Sequence, residues 1–145
     1  MTRDCRGLEV SGGSDRALEA INHFALALVS QSGDSAAVIA AAELERFARE
    51  QTGNAARVWR KIGLAQVQAS LAFAEGDWAR CSQLLESVLP EIACGGGSDE
   101  QRGVFSQSYL LSLIGLREPR AGALLRQWIG SRTPLPLEQR WLSKV

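Results

Sequence analysis

Between residues 55 and 92 two apolar stripes of helical spacing meet at a single break, Gly76-Asp77. Val58, Ile62, Ala65, Ala69, Ala72 and Phe73 recur at intervals of three and four before the break, and Cys81, Leu84, Leu85, Val88, Leu89 and Ile92 do so after it. That period belongs to one face of a helix. Glycine ends a helix by entering the left-handed region, and aspartate caps the next one. The stretch therefore predicts two antiparallel helices joined by a tight turn.

The rest of the chain repeats the device. Ser14 or Asp15 caps a helix expected over 14–32, with Leu18, Ile21, Ala25, Leu28 and Val29 on one face. Gly33-Asp34-Ser35 leads into a helix over 35–51, and Thr52-Gly53-Asn54 into one over 55–75. Asp77 opens a helix reaching about 92, where Pro90 predicts a kink or an early end. After Gly95-Gly96-Gly97 a helix is expected over 99–116, and Pro119 can start another over 119–130. Pro134 and Pro136 make an extended link, and 137–144 forms a short closing helix that packs Trp141. No segment alternates with a period of two. The expected fold is all-α: a stack of antiparallel helical hairpins, about six helices plus a short C-terminal one. Residues 14–145 form a single domain behind a flexible tail, 1–13.

The charges bound the partners. Sixteen Lys and Arg balance sixteen Asp and Glu, so no basic excess points to nucleic acid. The longest apolar runs, 24–29 and 36–42, are far too short for a membrane span, and 1–10 lacks the apolar core of a secretory signal. A cytoplasmic protein is expected. Three cysteines, Cys5, Cys81 and Cys94, show no Cys-X-X-Cys spacing and stand beside one histidine, His23. Neither a metal nor a cofactor is implied, and three free thiols are expected.

The hairpin around Gly76 has the build of a tetratricopeptide repeat, two helices in ~34 residues with small side chains where they cross. Ala69 and Ala72 are the small contacts of the first helix, and Cys81 holds the small position of the second. Leu85 is the large residue and Val88 the next contact. Over 104–133 the pattern returns with Ser108, Ser112 and Gly115, then Ala121 where Cys81 stood and Leu125 where Leu85 stood. Arg117-Glu118-Pro119 replaces the Gly-Asp turn.

In order and spacing, Ile62-Gly63, Ala72-Phe73, Gly76-Asp77-Trp78, Gly96-Gly97-Ser98, Gln101-Arg102 and Val104-Phe105 resemble the carboxyl-terminal part of the bacterial tetratricopeptide repeat protein 38-like family. That family carries a Val-Gly element, an Ala-Phe followed by Gly-Asp-Tyr, and a Gly-Gly-Ser-His-Ala-Gln-Arg-Asp motif. The likeness runs from about Arg57 to Trp141. Asp99 replaces the motif's histidine, Glu100 its alanine and Gly103 its final aspartate, so any function of that histidine and aspartate is absent here. The family is much longer, which makes this chain a shortened relative or a fragment. The resemblance implies helical repeats and interaction and supplies no reaction.

Several residues have a sharp reading and a plain one. The 95–102 loop before a helix could cradle phosphate, but Ser98 and Gln101 also fit a reciprocal capping box, and Asp99 and Glu100 would repel an anion. Arg102 either pairs with a nearby carboxylate or carbonyl or reaches a partner. His23 reads as a helix-face residue and Cys94 as a packed thiol. Trp59, Trp78, Trp128 and Trp141 read as plugs between helices. Trp59 with Arg57, Arg60 and Lys61 forms a basic, aromatic turn that fits an acidic peptide or simply a solvated helix start. The leading expectation is a non-enzymatic module for protein–protein interaction, with a peptide groove lined by Arg60, Gln66, Arg102 and Gln107. The structural motif is Gly76, Asp77, Gly96, Gly97, Ser98 and Gln101. The alternatives are a self-associating homodimer, and a ligand sensor or enzyme using Cys94, Ser98 and Arg102.

Overall fold

A computed structural model describes residues 34–95 and 99–145. The tail expected over 1–13, the helix over 14–32 with His23, the turn residue Gly33, and Gly96, Gly97 and Ser98 lie outside the described residues, as does the Gln101 side chain and with it the capping box.

Every regular element among the described residues is helical, with no strand. Helix α1 (Asp34–Glu50) is followed by α2 (Gly53–Val58), which runs on through a π-helical segment (Trp59–Gly63) into α3 (Leu64–Ala74). Next come α4 (Trp78–Val88) and a 3-10 segment (Leu89–Gly95), in which Pro90 sits as the end of the helical pattern requires. Helices α5 (Asp99–Gly115), α6 (Arg120–Ile129) and α7 (Pro136–Leu142) complete the order.

The two turns between paired helices use one hydrogen-bonding scheme. At the end of α3, the Asp77 N–H donates to the Ala72 carbonyl at 2.8 Å and the Gly76 N–H to the Phe73 carbonyl at 3.1 Å. At the end of α5, the Glu118 N–H donates to Leu113 at 2.9 Å and the Arg117 N–H to Ile114 at 3.0 Å. Both are Schellman motifs, which satisfy carbonyls that a helix end leaves unpaired. The turn residue must be left-handed: Gly76 has φ +74° and Arg117 φ +56°. Glycine takes that conformation freely, whereas arginine does so at a steric cost. Asp77 then accepts a hydrogen bond from the Arg80 N–H at 3.0 Å and caps α4, an interaction worth about 1 kcal/mol.

Packing follows the small-for-large pattern. One core joins Ala65, Ala69 and Ala72 of α3 to Cys81, Leu85 and Val88 of α4, with Ile92 and Phe105. A second joins Leu110 and Leu113 of α5 to Ala121, Leu125 and Ile129 of α6, with Trp141 of α7 against it. Tyr109 packs on both cores. Burying a leucine such as Leu85 or Leu125 contributes roughly 1.5–3 kcal/mol. Ser112 is fully buried and donates to the Ser108 carbonyl at 2.8 Å, so its hydroxyl is satisfied where helices cross closely. Trp78 spans the step between hairpins, with its indole over Gly115 and edge-on to Phe73.

Two expectations need correction. Trp128 does not plug a helix gap: it is 37% exposed on the outer side of α6. The cysteines are not all free thiols, because Cys94 is disulfide-bonded. Cys81 is free and buried, and its burial pushes the thiol pKa up, partly offset by a hydrogen bond with Ser112.

Candidate functional site

Four residues were expected to share a groove, and the structure treats them differently. Gln66 is 3% exposed, because α3 is enclosed on most of its circumference, and the side chain offers nothing to an external partner. Arg102 is half-buried and ion-paired with Asp99 one turn earlier, the local pairing that its position at a helix start favours. Gln107 stands exposed on α5. Arg60 is exposed and enters the wall of a cleft at the other end of the described chain.

That cleft has a volume of about 500 Å³ and is lined by Gln51, Thr52, Gly53, Ala56, Arg57, Arg60 and Lys61. Its floor is the turn from α1 into α2. Gly53 has φ +65°, and a Cβ there would meet nothing within 4 Å, so the turn is both left-handed and open. Its wall is cationic because Arg57, Arg60 and Lys61 follow a spacing of three and four along one helical face. The opposite face of the same helix is apolar: Val58, Trp59, Ile62 and Gly63 are buried. Trp59 is 2% exposed and meets the Phe47 ring of α1 at 5.1 Å in a T-shaped contact. The aromatic expected on the basic surface is thus the anchor beneath it.

Hydrogen bonds fix the wall. Arg60 Nη2 donates to the carbonyls of Arg49 at 3.0 Å and Gln51 at 3.4 Å, the unpaired end of α1 where a cation also suits the helix dipole. Lys61 Nζ pairs with Glu91 Oε2 at 2.7 Å, tying the π segment to the 3-10 segment. Arg57 and Arg60 have no carboxylate partner among the described residues. The cleft therefore carries a local positive field within a chain whose formal net charge is zero. A single π turn inside an α-helix is uncommon and frequent at functional positions; here it carries two of the three wall cations, Arg60 and Lys61.

Two other polar clusters look structural. Arg120 of α6 pairs with Glu86 of α4 at 2.7 Å, and the Tyr109 hydroxyl of α5 meets the same carboxylate. Burial first, then the Glu86 charge, raises the Tyr109 pKa. Near the carboxyl end, Arg132 makes a two-pronged ion pair with Glu138, at 2.7 and 2.5 Å, and the Leu135 N–H donates to Glu138 at 2.8 Å. The Arg132 hydrogen bond, helped by that N–H, lowers the Glu138 pKa to about 2. Both clusters bridge elements of the fold. No group of three or more His, Cys, Asp or Glu that could hold a metal occurs among the described residues, and no described helix is long and apolar enough to cross a membrane.

Comparison with protein-family models, curated proteins and solved structures finds no match to this chain.

Proposed function

We propose that this protein is a non-enzymatic helical-repeat module that binds another protein, built as a tetratricopeptide-like stack. One observation carries the reading. Two successive hairpins, α3–α4 and α5–α6, share the same Schellman turn and the same interior chemistry, with Cys81 and Leu85 in one matched by Ala121 and Leu125 in the other. Repeats of this kind contact mainly their neighbours, and their remaining faces are available to partners. The cationic cleft is a second support, since two of its lining residues, Arg57 and Arg60, have no carboxylate partner among the described residues. A catalytic role for Cys94 loses its nucleophile, because the sulfur is in a disulfide rather than a thiolate.

The test is affinity capture with the full chain, comparing the native protein with Arg60→Glu and Gln107→Ala variants that retain the native circular dichroism spectrum. The expected result is a specific partner whose yield falls in at least one variant. A protein that retains no specific partner under any condition overturns the reading.

A second reading, self-association, draws on the carboxyl end. Leu135 is 58% exposed, and Leu137, Val145 and Trp128 are exposed nearby in the chain. Exposed apolar side chains gathered in one region favour pairing with a copy of the chain. Light scattering at micromolar concentration decides: a Leu135→Ser, Leu137→Ser variant converts a dimer to a monomer, and a native chain that is already monomeric excludes this reading.

A further inference from the structure

We propose that the cleft between the α1–α2 turn and the π segment receives an extended acidic segment of a partner protein, held through two carboxylates by Arg57 and Arg60. The inference rests on the interaction-module reading and gives it a site and a ligand chemistry.

Size comes first. A cleft of about 500 Å³ falls within the range of sites for organic ligands, on the order of 300–1,000 Å³, and is far too large for a lone ion. Charge comes next. Lys61 is matched by Glu91, which leaves Arg57 and Arg60 as cations without a carboxylate among the described residues. Two such cations fit a short acidic segment. They are too few for a nucleic acid, whose binding needs many neutralised phosphates, and the balanced net charge adds no wider field.

Spacing then selects the conformation of the ligand. Side chains three residues apart on a helix face are separated by about 5–6 Å at Cβ. In an extended strand, side chains two residues apart lie on one side, roughly 6.6 Å apart. A Glu-X-Glu segment therefore presents one carboxylate to each guanidinium. Finally, the site is partly organised in advance. Arg60 is held from behind by the Arg49 and Gln51 carbonyls through one nitrogen, Nη2, which sets the guanidinium in place with its other N–H groups available. The open turn at Gly53 leaves the floor clear for a backbone to pass.

The experiment is fluorescence anisotropy with the full chain and the probe fluorescein-Gly-Ser-Glu-Val-Glu-Ser-Gly, beside an analogue with Gln-Val-Gln at its centre. The Glu probe is expected to bind about tenfold more tightly than the Gln analogue. Arg57→Glu, which breaks no hydrogen bond in the structure, is expected to weaken it about tenfold with an unchanged circular dichroism spectrum. Arg60→Gln serves as the second variant. Equal binding of both probes, or no effect of Arg57→Glu, overturns the proposal. Displacement of the probe by inorganic phosphate at equal concentration also overturns it, since the cleft would then be a simple oxyanion site. Random-peptide display on the immobilised chain separates the two levels of the argument. Enriched peptides insensitive to Arg57→Glu remove this site and leave the interaction reading standing, whereas an absence of enriched peptides counts against both.

Discussion

Gly115 ends α5 directly under the Trp78 indole, and replacing it by alanine tests how the two hairpins are joined. A Cβ at Gly115 would lie 2.7 Å from Cδ1, 2.8 Å from Nε1 and 2.9 Å from Cγ of Trp78. Alanine for a helical glycine ordinarily stabilises by about 0.5–1 kcal/mol. Here the overlap must be relieved by moving the ring, at about 1–3 kcal/mol for overpacking of this kind. The ring cannot move freely, because it meets Phe73 edge-on at 5.2 Å, a contact worth roughly 0.5–1.5 kcal/mol. The expected net effect of Gly115→Ala is a loss of about 1 kcal/mol, or a Tm lower by roughly 3 °C. In a Trp78→Ala background the obstacle is gone, and the same substitution should stabilise by about 0.5–1 kcal/mol. The coupling in the double-mutant cycle is then about 2 kcal/mol. Urea denaturation read by far-ultraviolet circular dichroism measures it without relying on tryptophan emission. An equal change in both backgrounds would refute the contact.

Arg117 occupies a left-handed turn position at φ +56°, so Arg117→Gly should raise stability by about 1 kcal/mol in the same urea assay. Leu125 is fully buried in the second core, and Leu125→Ala should cost about 2–5 kcal/mol. The Glu138 pKa is lowered to about 2 by Arg132 and the Leu135 N–H. A carboxyl with a depressed folded pKa stabilises above its unfolded value of about 4.3 and loses that contribution as pH falls toward the folded value. Melting temperature followed downward from pH 5 should therefore fall less in Arg132→Gln than in the native chain. Cys81 is buried with a raised thiol pKa, so it should resist a thiol reagent until the protein is unfolded, a contrast readable by absorbance with and without urea.

The parts of the fold written in local chemistry were legible from sequence. Gly76 and Asp77 announce a turn because only glycine enters the left-handed region without strain and aspartate supplies a cap. The small residues Ala69, Ala72, Cys81 and Ser112 mark helix crossings because larger ones would hold the backbones apart, and all four are buried. Arg117 as a left-handed turn residue was not legible, since arginine carries no preference for that conformation. The π segment was equally silent: periodicity tolerates a one-residue slip where the helix runs on into α3, which is buried on most of its sides. Gln66 misled because a polar side chain on a helix reads as exposed unless the enclosing neighbours are known. Of the cleft, the cations Arg57, Arg60 and Lys61 were visible as a basic turn. The turn at Thr52-Gly53 was visible as well, as the break between two helical patterns, but the Arg49 and Gln51 carbonyls that hold Arg60 were not, because residue identity does not encode which main-chain groups a side chain reaches.

Tyr109 carries a wider consequence. It is the residue common to both cores, and its hydroxyl sits at the Glu86–Arg120 pair. Nearest-neighbour coupling in a linear array is a property of such boundaries rather than of the units themselves. The junction of α4 with α5 is broad, with Phe105 buried in the first core and Ser112 hydrogen-bonded to Cys81. Helices α6 and α7 meet the rest mainly through α5, so the α6–α7 end can loosen as a separate cooperative unit while α3, α4 and α5 stay closed. Amide exchange would then show two protection levels, the lower one in α6 and α7.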